Sequence, residues 1–546
     1  MSQHRRRAPD SQERSVRRGA LLIAAAVVVF GVGLGLWASG GDDGPDRTDS
    51  SAQVTPSAPA SPEPSPSPTR SYPLSQAPRT IPSVGAHTPA RGPGWRPARG
   101  YRVVVGDAEL ADEGKLLAGE LGLTYAGEKG DVRAGDVRLA LNGDEGADPE
   151  SYAMTVRGGR VAISGPGEAG VFYGTRTLKQ EVHGGGTAPE GVVRDEPAKP
   201  RRGFMLDIAR KPFTAAWIED RVRELGDLKF NELGLHFSDD QGFRIESDTH
   251  PEIVSRTRLT KAEVRRIVAL AESRHITVVP EIDSPGHLGA VIAAHPDLQL
   301  RNANGVAAEG AVDISDPDAA SIVDDLLGEY AELFPGGQWH LGGDEYRALT
   351  VSDPEASYPQ LAGAAREAYG AGAGVADLAT GWLNDRADTV RAHDRAPRAW
   401  NDGFYTGTSV KAADDLVVAY WTGKEIGARQ PVEYLRAGRQ LVNYNDEFLY
   451  YVLGQPQTFV YPTGQRIYEE WTPRVVRGTT AVAARYEDQI LGGSFAVWCD
   501  LAGAQTEAQV AAGIRLPLRA TVQKLWDADR PEGSWGEFRE LADRLG

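Results

Sequence analysis

The residues best equipped for chemistry are Asp344 and Glu345, adjacent carboxylates that end the run HLGGDEY. Like charges this close repel, so at least one of the two is expected to hold a proton near neutrality. A carboxyl kept protonated can donate to a departing oxygen, as cleavage of a glycosidic bond requires. A solvated Asp-Glu at a strand end would look the same, so the surrounding residues decide. Other short apolar runs also end in polar groups: Asp207 and Arg210; His236, Asp239 and Asp240; Glu281, Asp283 and His287; and His340 just before the acidic pair. Later runs end at Trp400 and Asp402, at Trp421, at Asn443, Asn445 and Tyr450, and at Trp498 and Asp500. Acids together with aromatic walls suit a neutral sugar, whose ring faces stack on indole while its hydroxyls take hydrogen bonds.

Eight apolar runs must carry these groups: 203–209, 231–237, 277–283, 338–343, 397–400, 415–421, 440–445 and 491–498. Helical stretches such as TAAWIEDRVRELGDLK and TKAEVRRIVALAESRH separate the early ones. Eight strands with helical crossovers predict an α/β chain, a (β/α)8 TIM barrel over 201–546, whose active-site residues lie at the C-terminal ends of the strands. A doubly wound open sheet is the competing fold, but no glycine-rich phosphate loop follows the first strand.

The segment 99–200 alternates strand and helix patterns, with GG at 158–159 between two alternating runs as a hairpin signal. It reads as a small α+β domain that supports the barrel and carries no chemistry of its own. Residues 40–98 are rich in Pro and Ser and poor in large apolar groups, and so are expected to form an extended, disordered linker. Ahead of it, six arginines within residues 1–18 (Arg5, Arg6, Arg7, Arg14, Arg17 and Arg18) precede an uncharged apolar run over 19–39. That run is long enough to span a bilayer, and the basic tail favours a cytoplasmic N-terminus. A signal-anchor is the preferred reading and a cleaved signal peptide the alternative. Either places the folded part outside the cell, on the membrane face or secreted. A formal charge of −17 argues against a nucleic-acid partner. Cys499 is the only cysteine, so no intramolecular disulfide forms and zinc motifs built on Cys/His spacing are absent. No cofactor and no metal are expected.

The motifs RGFMLDIARKPF, KFNELGLHFSDDQGFRIES, VVPEIDSPGH, WHLGGDE and AVWCD, in this order from 202 to 500, resemble the β-N-acetylhexosaminidases of glycoside hydrolase family 20. LHFSDDQGF, AWNDGF and FLYYV look closest to the dispersin-like branch of that family, and the preceding module resembles the α+β domain that usually precedes its barrel. The resemblance implies a retaining, substrate-assisted hydrolysis of terminal β-linked N-acetylglucosamine or N-acetylgalactosamine through an oxazolinium intermediate. By carry-over, Glu345 is the acid and then the base, Asp344 stabilises the acetamido group, and Tyr450 holds its oxygen. Asp239 and His287 support the acid, although a histidine capping the turn after Pro285-Gly286 would also fit. Arg210 and Asp500 bind outer hydroxyls. Trp400, Trp421 and Trp498 line the sugar pocket, although tryptophans at strand ends are often core.

Three departures from the family stand out. Lys211 follows Arg210 where histidine is usual. Asp500 replaces a usual glutamate, one methylene shorter. The loop after Trp421 lacks the acid that the dispersin branch uses nearby, which weakens the implication of poly-N-acetylglucosamine cleavage. A lacto-N-biosidase or a poly-N-acetylglucosamine hydrolase of the same family is one alternative, and an inactive glycan-binding surface protein the second. An intact Asp344, Glu345, Arg210 and His287 argue against the second.

Overall fold

The computed structural model describes residues 71–546 apart from 129–130, 143–145, 423–427 and 529–532. The apolar run 19–39 and its basic tail lie outside the described residues. Among the described residues no helix is long and apolar enough to cross a membrane.

All eight runs form strands: β1 (Arg201–Asp207), β2 (Glu232–His236), β3 (Thr277–Glu281), β4 (Gln338–His340), β5 (Ala396–Trp400), β6 (Val417–Tyr420), β7 (Leu441–Asn443) and β8 (Ile490–Trp498). Each pairs in parallel with the next, and β8 pairs in parallel with β1, which closes the barrel. The helical stretches between the early strands start where their threonines allow. Thr214 caps Ala215–Asp227, and Thr260 makes a reciprocal capping box with Glu263 at the start of Lys261–Glu272. Their apolar faces pack on the barrel, where Ile218, Val222, Leu225, Val264 and Ile267 are fully buried.

One short strand was not legible. Tyr450–Val452 pairs in parallel with the end of β8, setting Tyr450 opposite Ala496 and Val452 opposite Trp498. Its alternation is too short to stand out in the sequence, yet it brings Tyr450 to the barrel mouth beside Trp498.

The preceding module is a seven-stranded mixed sheet with two helices, Ala111–Leu121 and Glu168–Gly185. Gly158 and Gly159 form its hairpin turn, both at positive φ (60° and 70°), as a two-residue loop with the twist of its flanking strands requires. The linker reading of 40–98 fails for its C-terminal part. Residues 71–98 fold onto the module: Ala86–Pro89 is an edge strand paired with Gly191–Asp195. Ile81 is fully buried and Trp95 nearly so, with Trp95 Nε1 donating to the Gly135 carbonyl. Two apolar anchors among prolines outweigh the composition around them. The module docks on the barrel's helix Glu507–Trp526, where Trp526 Nε1 donates to Asp195 Oδ1 at 2.9 Å.

Candidate active site

The turn after β4 explains the two glycines of HLGGDEY. Gly342 and Gly343 both take positive φ (67° and 96°), and a Cβ on Gly342 would collide with the side chain and backbone of Asp283. The tight approach lets Gly343 N–H donate to Asp283 Oδ1 at 2.8 Å. Glu345 also sits in the left-handed region, at φ 48°, with its N–H held by Asp402 Oδ2 at 2.9 Å. A non-glycine residue there is strained, and such strain clusters where geometry serves function. Gly342→Ala is therefore expected to cost about 1–2 kcal/mol from the left-handed backbone alone, plus the clash with Asp283. Urea unfolding should show this loss together with loss of the site; a stability within error of wild type would refute the packing described here.

The two carboxyls are polarised in opposite senses. Burial pushes the Asp344 carboxyl well above the usual aspartate range, and the neighbouring Asp283, to which it is hydrogen-bonded, adds to the effect. Asp283 is itself pushed up to about 7, chiefly by burial. Both carboxyls of the Asp283–Asp344 pair are thus shifted toward the neutral form. Glu345 is the more accessible partner, its side chain 41% exposed against 13% for Asp344. It is held below the usual glutamate range mainly by the His287 imidazole, 3.6 Å away. The sequence reading tied a raised carboxyl to the general acid, which the family resemblance makes Glu345; here burial and Asp283 place the upward push on Asp344, while His287 holds Glu345 low.

His287 stands between the acids. Its Nε2 lies 3.8 Å from Asp344 Oδ2 and 3.6 Å from Glu345 Oε2, and its Nδ1 lies 3.6 Å from Asp239 Oδ1. Burial opposes its charge, but these carboxylates outweigh burial and hold it as imidazolium. A turn-capping role does not account for this position, although its φ of 54° shows that the turn is tight. Behind Asp239, an alternating network continues to the barrel floor. His236 Nε2 lies 2.8 Å from Asp239 Oδ2, His236 Nδ1 lies 3.2 Å from Glu281, and His340 Nδ1 lies 3.3 Å from Glu281. Although burial opposes it, His236 is raised to about 10 by Glu281 and Asp239.

Arg210 is fixed by two acids: Asp207 accepts from its backbone N–H and side chain, and Asp239 Oδ2 lies 2.8 Å from the guanidinium. Its plane lies over Trp498 at 5.3 Å. Trp421 and Tyr450 stack in parallel, ring centres 5.9 Å apart and 3° from coplanar. Trp421 Nε1 donates to Asp402 Oδ1 at 3.0 Å. Together Arg210, His287, Asp344, Glu345, Trp421, Tyr450, Trp498 and Asp500 line one pocket of about 300 Å³. Trp400 is set apart from them. It is fully buried below Trp498, tied by Nε1 to Glu281 Oε1 at 2.7 Å, and so backs the pocket instead of lining it. Asp239 likewise lies beneath, reaching the pocket through His287 and Arg210.

Two family models match the chain: "Glycosyl hydrolase family 20, catalytic domain" over residues 200–526, and "Glycosyl hydrolase family 20, domain 2" over 77–196. The chain belongs to glycosyl hydrolase family 20. Among curated relatives, a lacto-N-biosidase of Bifidobacterium bifidum is 29% identical over 476 residues, 86% of this chain and 42% of that protein. A β-N-acetylhexosaminidase of Cellulomonas fimi is 32% identical over 289 residues, 48% of this chain and 57% of its own length. The chain thus spans well under two thirds of these relatives. Among solved structures, a mutant β-hexosaminidase of Streptomyces plicatus in complex with its product GlcNAc matches at TM-score 0.68 and 25% identity, over 87% of this chain and 95% of that one.

Within this family 20 site, several functional positions escaped sequence reasoning. Asp283 and Asp402 were visible only as polar residues at strand ends, and their contacts with Asp344 and the Glu345 backbone required the fold. Gln457, Thr458 and Phe459 close one side of the pocket from the loop after Tyr450–Val452. The one local hint is conformational: Gln455 and Gln457 flank Pro456 at φ 53° and 54°, a tight loop that no side-chain pattern announces.

Proposed function

We propose that this family 20 chain is a retaining β-N-acetylhexosaminidase that removes terminal β-linked N-acetylglucosamine or N-acetylgalactosamine by substrate-assisted catalysis. The observation that carries the reading is the adjacent Asp344–Glu345 pair, oppositely polarised with the His287 imidazole within 3.8 Å of each, in a pocket also lined by Arg210, Trp421, Tyr450 and Trp498. Glu345 protonates the leaving oxygen and then draws a proton from water. Asp344 accepts the acetamido N–H and balances the positive charge that develops as the acetamido oxygen attacks the anomeric carbon. Tyr450 orients that oxygen, Trp421 and Trp498 hold the ring, and Arg210 and Asp500 take its outer hydroxyls.

In the protein alone, burial favours the neutral form at Asp344 and Asp283, and His287 favours the ionised form at Glu345. A bound acetamido N–H stabilises ionised Asp344, while the sugar excludes water from Glu345 and raises its proton affinity. Both effects drive a proton toward Glu345: the His287 imidazolium, its Nε2 within 3.8 Å of each carboxyl, gives its own Nε2 proton to Glu345 and takes one from Asp344 in its place.

The arginine-rich start and the apolar run 19–39 support a location on the extracellular membrane face with the N-terminus inside, or secretion. The partner there is an N-acetylhexosamine-containing glycan. A lacto-N-biosidase is the second reading, favoured by the exposed position and short side chain of Asp500 at the pocket edge. Hydrolysis of 4-nitrophenyl N-acetyl-β-glucosaminide, the matching β-glucoside and the lacto-N-bioside decides between them. Release from the acetamido monosaccharide with none from the glucoside is the expected result. Release from the disaccharide alone would select the second reading, and equal cleavage of the glucoside would refute substrate assistance.

A further inference from the structure

We propose that His250, Glu252 and His295 form a site for one divalent transition-metal ion, with zinc the best match, clamping together the two loops that carry Asp239 and His287. Sequence spacing gave no sign of it, since His295 comes from a different loop from the other two. In the fold, the loop after β2 supplies His250 and Glu252, and His295 ends the short helix Gly289–Ala294 in the loop after β3.

The three donor atoms converge. Glu252 Oε1 lies 3.0 Å from His250 Nδ1 and 2.9 Å from His295 Nε2, and all three lie within 4.8 Å of one another. A tetrahedral zinc with ligand bonds of about 2.0–2.1 Å separates its ligand atoms by roughly 3.3 Å. Glu252 thus already sits close to ligand spacing from each histidine, with the exposed side left for a fourth ligand. Two imidazoles and a carboxylate suit zinc, whereas magnesium and calcium prefer oxygen ligands throughout.

The histidines are held ready. Each precedes a proline and adopts nearly the same backbone: φ −131° and ψ 64° at His250, φ −126° and ψ 72° at His295. The residue before proline is barred from the helical region, which limits each side chain's origin. Ser247 Oγ accepts the His250 N–H at 3.0 Å and in turn donates to Glu329 on the helix Pro317–Leu333. The second nitrogen of His250, Nε2, faces Asp325 Oδ2 at 3.4 Å. That nitrogen is buried and makes no hydrogen bond among the described residues; a small shift of Asp325 toward it on metal binding would supply the carboxylate that usually fixes the tautomer of a metal-binding histidine.

The clamp lies next to the chemistry along the chain. The helix that ends in His295 begins two residues after His287, and Gly289 N–H at its start donates to Asp240 Oδ1, next to Asp239. Binding there restrains the loops that aim the imidazole at Glu345 while taking no part in bond cleavage.

The test uses the tag-free full chain, freed of metal by a chelator, titrated with zinc chloride against a chromophoric competitor. One equivalent of zinc is expected to bind, at least 10-fold more weakly in His250→Gln and in His295→Gln, and about 10- to 100-fold more weakly in Asp325→Asn. Metal-free hydrolysis of the acetamido glycoside by each variant, matching metal-free wild type, checks folding. If a histidine variant folds poorly, Glu252→Gln carries the same comparison on a half-exposed side chain. Absence of zinc binding by wild type, or equal affinity in these variants, would overturn the proposal without touching the assignment of the active site.

Discussion

Glu345→Gln is expected to lower kcat/KM on substrates with a sugar leaving group by about 10²–10⁴-fold, the usual contribution of a positioned general acid. Glutamine keeps the shape and the backbone N–H bond to Asp402, so the pocket and its affinity for product should survive. What it cannot do is give a proton to a basic alkoxide or take one from water. A 4-nitrophenolate leaves with little help, so its release should suffer less in the glycosylation step. The diagnostic is therefore the ratio of losses between a nitrophenyl glycoside and a natural disaccharide. Near wild-type rates on the disaccharide would remove Glu345 from the acid's role. The pH profile supplies a second reading: His287 faces the Glu345 carboxyl at 3.6 Å, and the limb that reports this carboxyl should vanish in the variant.

Much of this site was readable before the fold, for a physical reason. A barrel gathers the C-terminal ends of its strands at one mouth, so any polar residue ending an apolar run is a candidate, and Arg210, His287, Asp344, Glu345 and Asp500 were found that way. Contacts that depend on how deep each strand end sits were not readable. Trp400 and Trp498 both end strands and are both tryptophans, yet one is sealed under the other. The sequence could say that one of two adjacent carboxyls keeps a proton, but not which. The shifts come from burial of Asp344, and from Asp283 and His287, which both reach the pair from the loop after another strand. The misplaced linker boundary has the same origin. Composition averages over a window, whereas Ile81 and Trp95 act as single anchors.

Asp344→Asn is expected to separate stability from turnover. An Asp344 carboxyl whose proton affinity is raised by burial and by Asp283 is held at a cost whenever both groups would otherwise ionise. The sign follows from proton counting. The folded state binds more protons than the unfolded chain between the ordinary aspartate range and the raised values, which for Asp283 reach about 7. Stability contributed by this pair therefore falls as pH rises through that window. Asparagine resembles the neutral acid, so the variant should match or exceed wild-type stability at pH 7–8. The difference should fade below the unfolded carboxylate pKa, where both forms are neutral. Turnover should move the other way. The charge that Asp344 balances develops only in the transition state, so kcat should fall by about 10²–10³-fold, the size seen when one preorganised electrostatic partner is lost. KM should change less than kcat, because the asparagine amide oxygen can still accept the acetamido N–H in the bound state, whereas the charge balance is needed only in the transition state. Urea unfolding across pH 4–8, set beside steady-state kinetics on the acetamido glycoside, tests both halves. An unchanged kcat would deny Asp344 its role. A large loss of stability at pH 7 would mean that Asp344 is held ionised in the folded protein, and that the proton lies elsewhere in the cluster.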